Sequence, residues 1–148
     1  MNPLIVKWPG KIDENSTCDI PTTFTDFYPT FLELAGIDLI PEQHQDGISI
    51  LPLLKGKKVM YDRCLFWHYP HYGNQGGTPG SSIRKGDYKL IEFFEDSHVE
   101  LYDLRNDIEE NNNLSSELPE KTKELKKLLG EWRKSIEAKI PQRNPNHN

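Results

Sequence analysis

The sequence holds only two cysteines in 148 residues, Cys18 and Cys64. They match no paired zinc spacing, and two thiols build no disulfide framework. One bridge between them and two inert thiols both remain open. No stretch approaches the roughly 18 uninterrupted apolar residues of a membrane span. Apolar side chains make up 35% of the chain, against roughly 45–50% for an ordinary globular protein. The chain is therefore a lean domain with long polar loops or a part of something larger. Basic charge is also scarce: 18 Lys and Arg face 23 Asp and Glu, a net charge of −5, which argues against a generic nucleic-acid surface. The start, Met1-Asn2-Pro3-Leu4-Ile5-Val6-Lys7, lacks the basic and apolar regions of a secretory signal. There is no Gly-x-Ser-x-Gly nucleophile elbow and no Gly-Lys-Ser/Thr phosphate loop. Aromatic residues are not short at 10%, with 3 Trp, 6 Tyr and 6 Phe, and a disordered chain would hold few.

What is present reads as short elements in a definite order. Leu4-Ile5-Val6, bounded by Pro3 and Pro9, predicts a strand. Phe24, Phe27, Tyr28, Phe31, Leu34 and Ala35 share one helical face, predicting a helix over about 21–35 that Gly36 closes. Pro29 inside that pattern predicts a kink or an irregular first half. A linker over 37–45 leads to an Asp46-Gly47 turn and a short helical turn over 48–54 ending at Gly56. Strands are expected over 59–69, 82–84, 88–94 and 99–104, joined by Lys85-Gly86-Asp87 and by Glu95-Asp96-Ser97-His98. Connections that short make antiparallel hairpins. A last helix over about 118–139 places Leu118, Leu125, Leu128, Leu129, Trp132 and Ile136 on one stripe. Its other face offers Glu117/Lys121, Glu120/Lys123, Glu124/Lys127 and Glu131/Lys134 as ion pairs. The tail from Pro141 is polar and expected to be extended. The whole is α+β: a small antiparallel sheet with a packed C-terminal helix, preceded by a strand and a helix. One strand and one helix cannot bury both of their own faces, so the first 36 residues have the look of the edge of another domain.

The densest polar and aromatic cluster is Trp67-His68-Tyr69-Pro70-His71-Tyr72-Gly73-Asn74-Gln75-Gly76-Gly77. Flat rings with amides and imidazoles suit a polar, ring-shaped ligand such as a sugar. In the plainer reading, Trp67 and Tyr69 fill core while His68 and His71 cap backbone. The two histidines are at metal-ligand spacing, with no third ligand signalled. Arg84, Lys85 and Lys89 gather on one hairpin, where a guanidinium can grip a sulfate, phosphate or carboxylate in bidentate fashion. Asp103, Asp107, Glu109 and Glu110 lie in a charge run of the solvated kind. The residues alone describe a binding surface without catalytic machinery.

The order of motifs resembles the late part of a sulfatase. Pro3-Leu4-Ile5-Val6-Lys7-Trp8-Pro9-Gly10, then Asp26-Phe27-Tyr28-Pro29-Thr30-Phe31-Leu32-Glu33-Leu34-Ala35-Gly36, carry the likeness first. Asp46-Gly47-Ile48-Ser49 with Leu53-Leu54-Lys55-Gly56, Ile83-Arg84-Lys85-Gly86-Asp87-Tyr88-Lys89-Leu90-Ile91 and Glu100-Leu101-Tyr102-Asp103-Leu104 continue it. The stretch 67–77 is most similar to bacterial arylsulfatase-like enzymes of the alkaline-phosphatase-like superfamily that act on sulfated carbohydrate. The resemblance implies that residues 1–56 are the C-terminal edge of the large α/β domain and 57–148 the C-terminal subdomain. It implies that calcium and a formylglycine, made within Cys/Ser-x-Pro-x-Arg, belong to the part of such enzymes upstream of this region. Neither carries over: Cys18 precedes Asp19-Ile20-Pro21 and Cys64 precedes Leu65-Phe66-Trp67. The expectations are a chain inactive by itself on sulfate esters, no cofactor of its own, and a missing N-terminal sulfatase domain as partner. His68, His71 and Arg84 are expected to meet a sulfated carbohydrate or aryl sulfate. A carbohydrate-binding module, or a diverged phosphatase or phosphotransferase, are the other readings, and a periplasmic or extracellular location of the full protein stays open. The face of Phe24, Phe27 and Phe31 is expected to lack its partner sheet, giving self-association or a disordered first segment.

Overall fold

The computed structural model describes residues 3–59, 61–74 and 76–142. The chain divides into two compact units between Tyr61 and Asp62.

The first unit is built around a short helix, α1 (Phe27–Leu34), entered through a 3-10 turn over Phe24–Asp26. The 3-10 turn is the irregular first half expected from Pro29. Because α1 begins at Phe27, Pro29 falls in its first turn, where an amide proton would have no helical acceptor, so the ring costs nothing there. A second 3-10 turn spans Pro41–Gln43, and α2 (Leu51–Leu54) follows. Gly56 and Gly36 both take positive φ at the ends of these helices.

Asp26 and Thr30 tie the unit together. The fully buried Asp26 carboxylate accepts the Thr23 N–H at 2.8 Å and the Ile48 N–H at 3.1 Å. Thr30 donates its hydroxyl to the Asp26 carbonyl at 2.6 Å and accepts the Ile50 N–H at 2.9 Å. The segment at 46–50 is thereby laid along the 3-10 turn and the start of α1, so closely that a Cβ on Gly47 would sit 2.1 Å from the Thr25 carbonyl oxygen of that turn. That is the physical content of the Asp-Gly-Ile-Ser motif: residue 47 has no room for a side chain.

The expected strand at Leu4–Val6 does not form. The segment is irregular, and Ile5 is 89% exposed. An apolar run becomes a strand only in a ladder, and among the described residues the one sheet is assembled from later segments. Phe24 is 83% and Phe31 62% exposed.

The second unit is a four-stranded antiparallel meander: β1 (Cys64–Tyr69), β2 (Gly80–Lys85), β3 (Tyr88–Phe93) and β4 (Val99–Asp103), in that spatial order. The first strand starts five residues later than its apolar pattern suggested, and β2 is longer at both ends. Helix α3 (Pro119–Ser135) lies across one face. Ile83, Leu90 and Leu101, one from each of three neighbouring strands and aligned in register, pack with Leu125 and Leu129 of α3, all fully buried. Phe66 of β1 extends the row and stacks on Trp132 with centroids 4.7 Å apart and planes 5° apart. Four of the six stripe residues of the last helix reach this core from within α3, and Leu118 joins them from its N-cap. Ile136 lies just past the helix end and is half exposed. The helix ion pairs differ from the expected set: Glu124 meets Lys121 and Lys85, and Lys127 meets Glu131. The tail from residue 143 onward lies outside the described residues.

Both cysteines are free thiols. Cys18 is exposed, whereas Cys64 is half-buried against the core and burial pushes its pKa up, partly offset by Lys85. Only the thiolate reacts. A thiol reagent such as Ellman's is therefore expected to label Cys18 at least about tenfold faster than Cys64 in the native chain, and equal rates would contradict this packing.

Candidate functional site

Strand alternation sorts the candidate residues onto the two faces of the sheet. In register, Phe66, Ile83, Leu90 and Leu101 form the row under α3, and two residues further along runs the row His68, Ser81, Glu92. His68 therefore sits on the helix-covered face. Its Nε2 lies 3.0 Å from the Lys139 carbonyl and its Nδ1 2.7 Å from the Ser81 hydroxyl. A carbonyl only accepts, so Nε2 carries the proton, and in the neutral ring Nδ1 accepts from Ser81. Beside it, the Glu92 carboxylate takes Arg133 Nη2 at 2.5 Å and Lys126 Nζ at 3.1 Å. The Arg133 guanidinium also lies over the Phe94 ring, 5.6 Å from its centroid, and its other terminal nitrogen, Nη1, is buried with no protein acceptor. This polar row closes the open end of the apolar core and fastens α3 and the segment after it to the sheet.

The other candidates lie elsewhere. His71 is exposed in the loop after β1, edge-on to Tyr69 with centroids 5.6 Å apart. Arg84 is on the face away from α3, in the row Leu65, Arg84, Lys89, Tyr102. It donates Nε–H to the Gly86 carbonyl at 3.1 Å, and burial draws its pKa below the usual guanidinium value. Lys89 donates to both oxygens of Glu110. Tyr102, whose hydroxyl donates to Glu100, is pushed up to about 12, by burial first and by that bond second. The three candidates are thus not brought to one point: His68 and Arg84 are on opposite faces of one sheet.

The Gly-rich connection between β1 and β2 is a loop, closed on itself by Gly76 N–H to Gly73 carbonyl and Gly73 N–H to Gly77 carbonyl contacts, both at 3.2 Å. Tyr72 leans across to donate to Glu95 at 2.7 Å. Pro79, at its end, is fully buried. Gln75 lies outside the described residues.

The plainer sequence reading placed Trp67 and Tyr69 in the core. The structure does the reverse, leaving Trp67 45% and Tyr69 56% exposed while His68 is turned inward. Both alternating sets of β1, Cys64-Phe66-His68 and Leu65-Trp67-Tyr69, are apolar or aromatic, so period-two alternation could not choose between them. Ser81, Glu92 and Arg133 carried no motif, and only the register and the placement of α3 assemble them. Among the described residues no three His, Cys, Asp or Glu side chains gather as a metal site.

A four-stranded meander with one helix across it defines an α+β module. The chain belongs to the family of N-sulphoglucosamine sulphohydrolase C-terminal regions, whose model matches residues 1–137. A sulfatase of Formosa agariphila is 42% identical over 127 residues, covering 79% of this chain and 23% of that protein. An N-acetylglucosamine-6-O-sulfatase of Bacteroides thetaiotaomicron is 35% identical over 146 residues, covering 94% and 26%. Among solved structures, a protein in complex with its substrate D-glucosamine-2-N,6-O-disulfate superposes with a TM-score of 0.62 at 32% identity, covering 78% of this chain and 24% of that one. The chain spans about a quarter of the length of these relatives. No described helix is long and apolar enough to cross a membrane.

Proposed function

We propose that this chain serves as the C-terminal region of a sulfatase acting on sulfated carbohydrate, shaping the substrate cleft while another part of the enzyme supplies the formylglycine and calcium. The observation that carries this reading is the family match over 1–137, joined to relatives named for sulfated glucosamines. Its chemistry agrees: attack on a sulfate ester needs a nucleophile and a charge-stabilising metal together, and no Cys- or Ser-x-Pro-x-Arg occurs in the sequence. In this proposal residues up to about 56 belong to the edge of the large domain, and those after it form the C-terminal subdomain. His71, exposed on its loop, and Arg84 face the sulfated ligand. His68, with both ring nitrogens engaged, reaches ligand only by exchanging one of those bonds and otherwise positions the end of β1.

The test is an exchange of parts. The chain alone is expected to release no sulfate from N-acetylglucosamine-6-O-sulfate or an aryl sulfate, with or without calcium. Substituted for the matching quarter of the Bacteroides relative, it is expected to give a folded enzyme that releases sulfate from that sugar. Turnover by the chain alone, or a folded chimera without sulfatase activity, would overturn the proposal. A chimera that cleaves aryl sulfates but no sulfated sugar would remove the carbohydrate assignment.

A further inference from the structure

The sheet face turned away from α3 carries a groove whose walls and floor follow from the register. Tyr69 pairs across Gly80 with Phe93, and Trp67 pairs across Ser82 with Ile91. All six line one depression. The large side chains of β1 and β3 thus stand on either side of a middle strand that contributes, at these two positions, only a hydroxymethyl group and no side chain at all. Gly80 is held to that role, because a Cβ there would lie 2.9 Å from the Glu92 carbonyl oxygen.

The dimensions select the ligand. The groove holds about 180 Å³, against roughly 300–1,000 Å³ for a drug-sized pocket, so it admits one ring. Its walls are exposed aromatic area, and its polar groups are the hydroxyls of Ser82 and Thr78 and the Lys89 ammonium. Lys89 is the cation among the lining residues, and it is already committed to both oxygens of Glu110, at 2.8 and 2.6 Å. A sulfate or phosphate bound here would have to compete with the Glu110 carboxylate for Lys89, whereas that pair already satisfies the ammonium. A neutral ring meets no such competition: its C–H faces lie against Trp67 and Tyr69, and its hydroxyls exchange bonds with Ser82 and Thr78.

We propose that this groove binds an uncharged pyranose ring, so that the region holds the unsulfated sugar of a glycan rather than its sulfate group. The assignment rests on the carbohydrate reading above and adds which part of the glycan this face holds. Neither His71 nor Arg84 lines it, although His71 packs edge-on against Tyr69 and Arg84 stands across from Lys89.

Two-dimensional NMR of the whole chain tests it, with N-acetylglucosamine and N-acetylglucosamine-6-O-sulfate as probes. Saturable shifts of the Trp67 indole N–H and of the Gly80 and Ser82 amides are expected with both sugars. The midpoints are expected to agree within about threefold and to be unmoved by salt that would screen an ion pair. Trp67→Ala, and Ser82→Leu, which fills the floor, are each expected to weaken binding at least about tenfold while the Trp132 indole signal stays in place. No saturable shift with the neutral sugar would overturn the proposal. So would binding of the sulfated sugar alone with steep salt dependence, or variants that bind as the parent does. An active chimera combined with a silent groove would remove this assignment and leave the proposed function standing.

Discussion

Replacing Glu92 by alanine is expected to cost the second unit about 3–5 kcal/mol, because it strands a buried guanidinium. Arg133 keeps only 13% of its side chain exposed, and its Nη1 already lacks a protein acceptor. Without Glu92 the remaining nitrogen loses its charged partner in a place that water barely reaches. Lys126, the other partner, is 45% exposed and returns to solvent at little cost. Each kcal/mol moves the melting point of a unit this size by about 4–8 °C. A fall of more than about 12 °C is therefore expected in the near-ultraviolet dichroism from the Phe66–Trp132 stack. A double replacement of Glu92 and Arg133 by leucine is expected to recover most of that loss, since removing both charges strands neither. A single variant that loses less than about 1 kcal/mol would show the pair to be incidental.

The second large effect is expected in the first unit, at Gly47 and Asp26. An alanine methyl at position 47 would stand 2.1 Å from the Thr25 carbonyl oxygen, well inside contact distance, and the obstacle is backbone. The segment must lift from α1, breaking the Ile48 N–H bond to Asp26 and the Ile50 N–H bond to Thr30. A loss of about 3 kcal/mol or more is expected, above the usual range for overpacking because nothing flexible gives way. Asp26→Ala reaches the same state from the other side, leaving the Thr23 and Ile48 amides without their carboxylate at about 1–3 kcal/mol each. Amide hydrogen exchange reads both variants. Protection at Ile48 and Ile50 is expected to collapse in Gly47→Ala, whereas Asp26→Ala exposes Ile48 first. Unchanged protection in both would mean that this segment is not what holds the unit.

These two sites differ in how far they could be read in advance. Asp46-Gly47-Ile48-Ser49 was visible as a motif, and its glycine as a turn. That the glycine is needed for close approach to Thr25 depends on where the 3-10 turn before α1 lies. Glu92 stood in an unremarkable strand of alternating residues, and Arg133 on the polar side of a helix pattern. Their meeting depends on a strand register and a helix crossing, which bring together positions 41 residues apart.

The local elements follow from short-range signals. Turn residues at Lys85-Gly86-Asp87 and Glu95 to His98 set a meander, and the leucine stripe from Leu118 to Trp132 set a helix with one apolar side, because these signals act within a few residues of one another. Three other features depend on long-range packing. It decided that Leu4-Ile5-Val6 is not a strand among the described residues, since a strand exists only with a neighbour. It decided which face of β1 the helix covers, since both faces are apolar enough to be buried, and so turned His68 inward and left Trp67 and Tyr69 outside. It decided that two small residues of β2 stand between large ones of β1 and β3, since cross-strand neighbours are fixed by register and not by proximity in sequence.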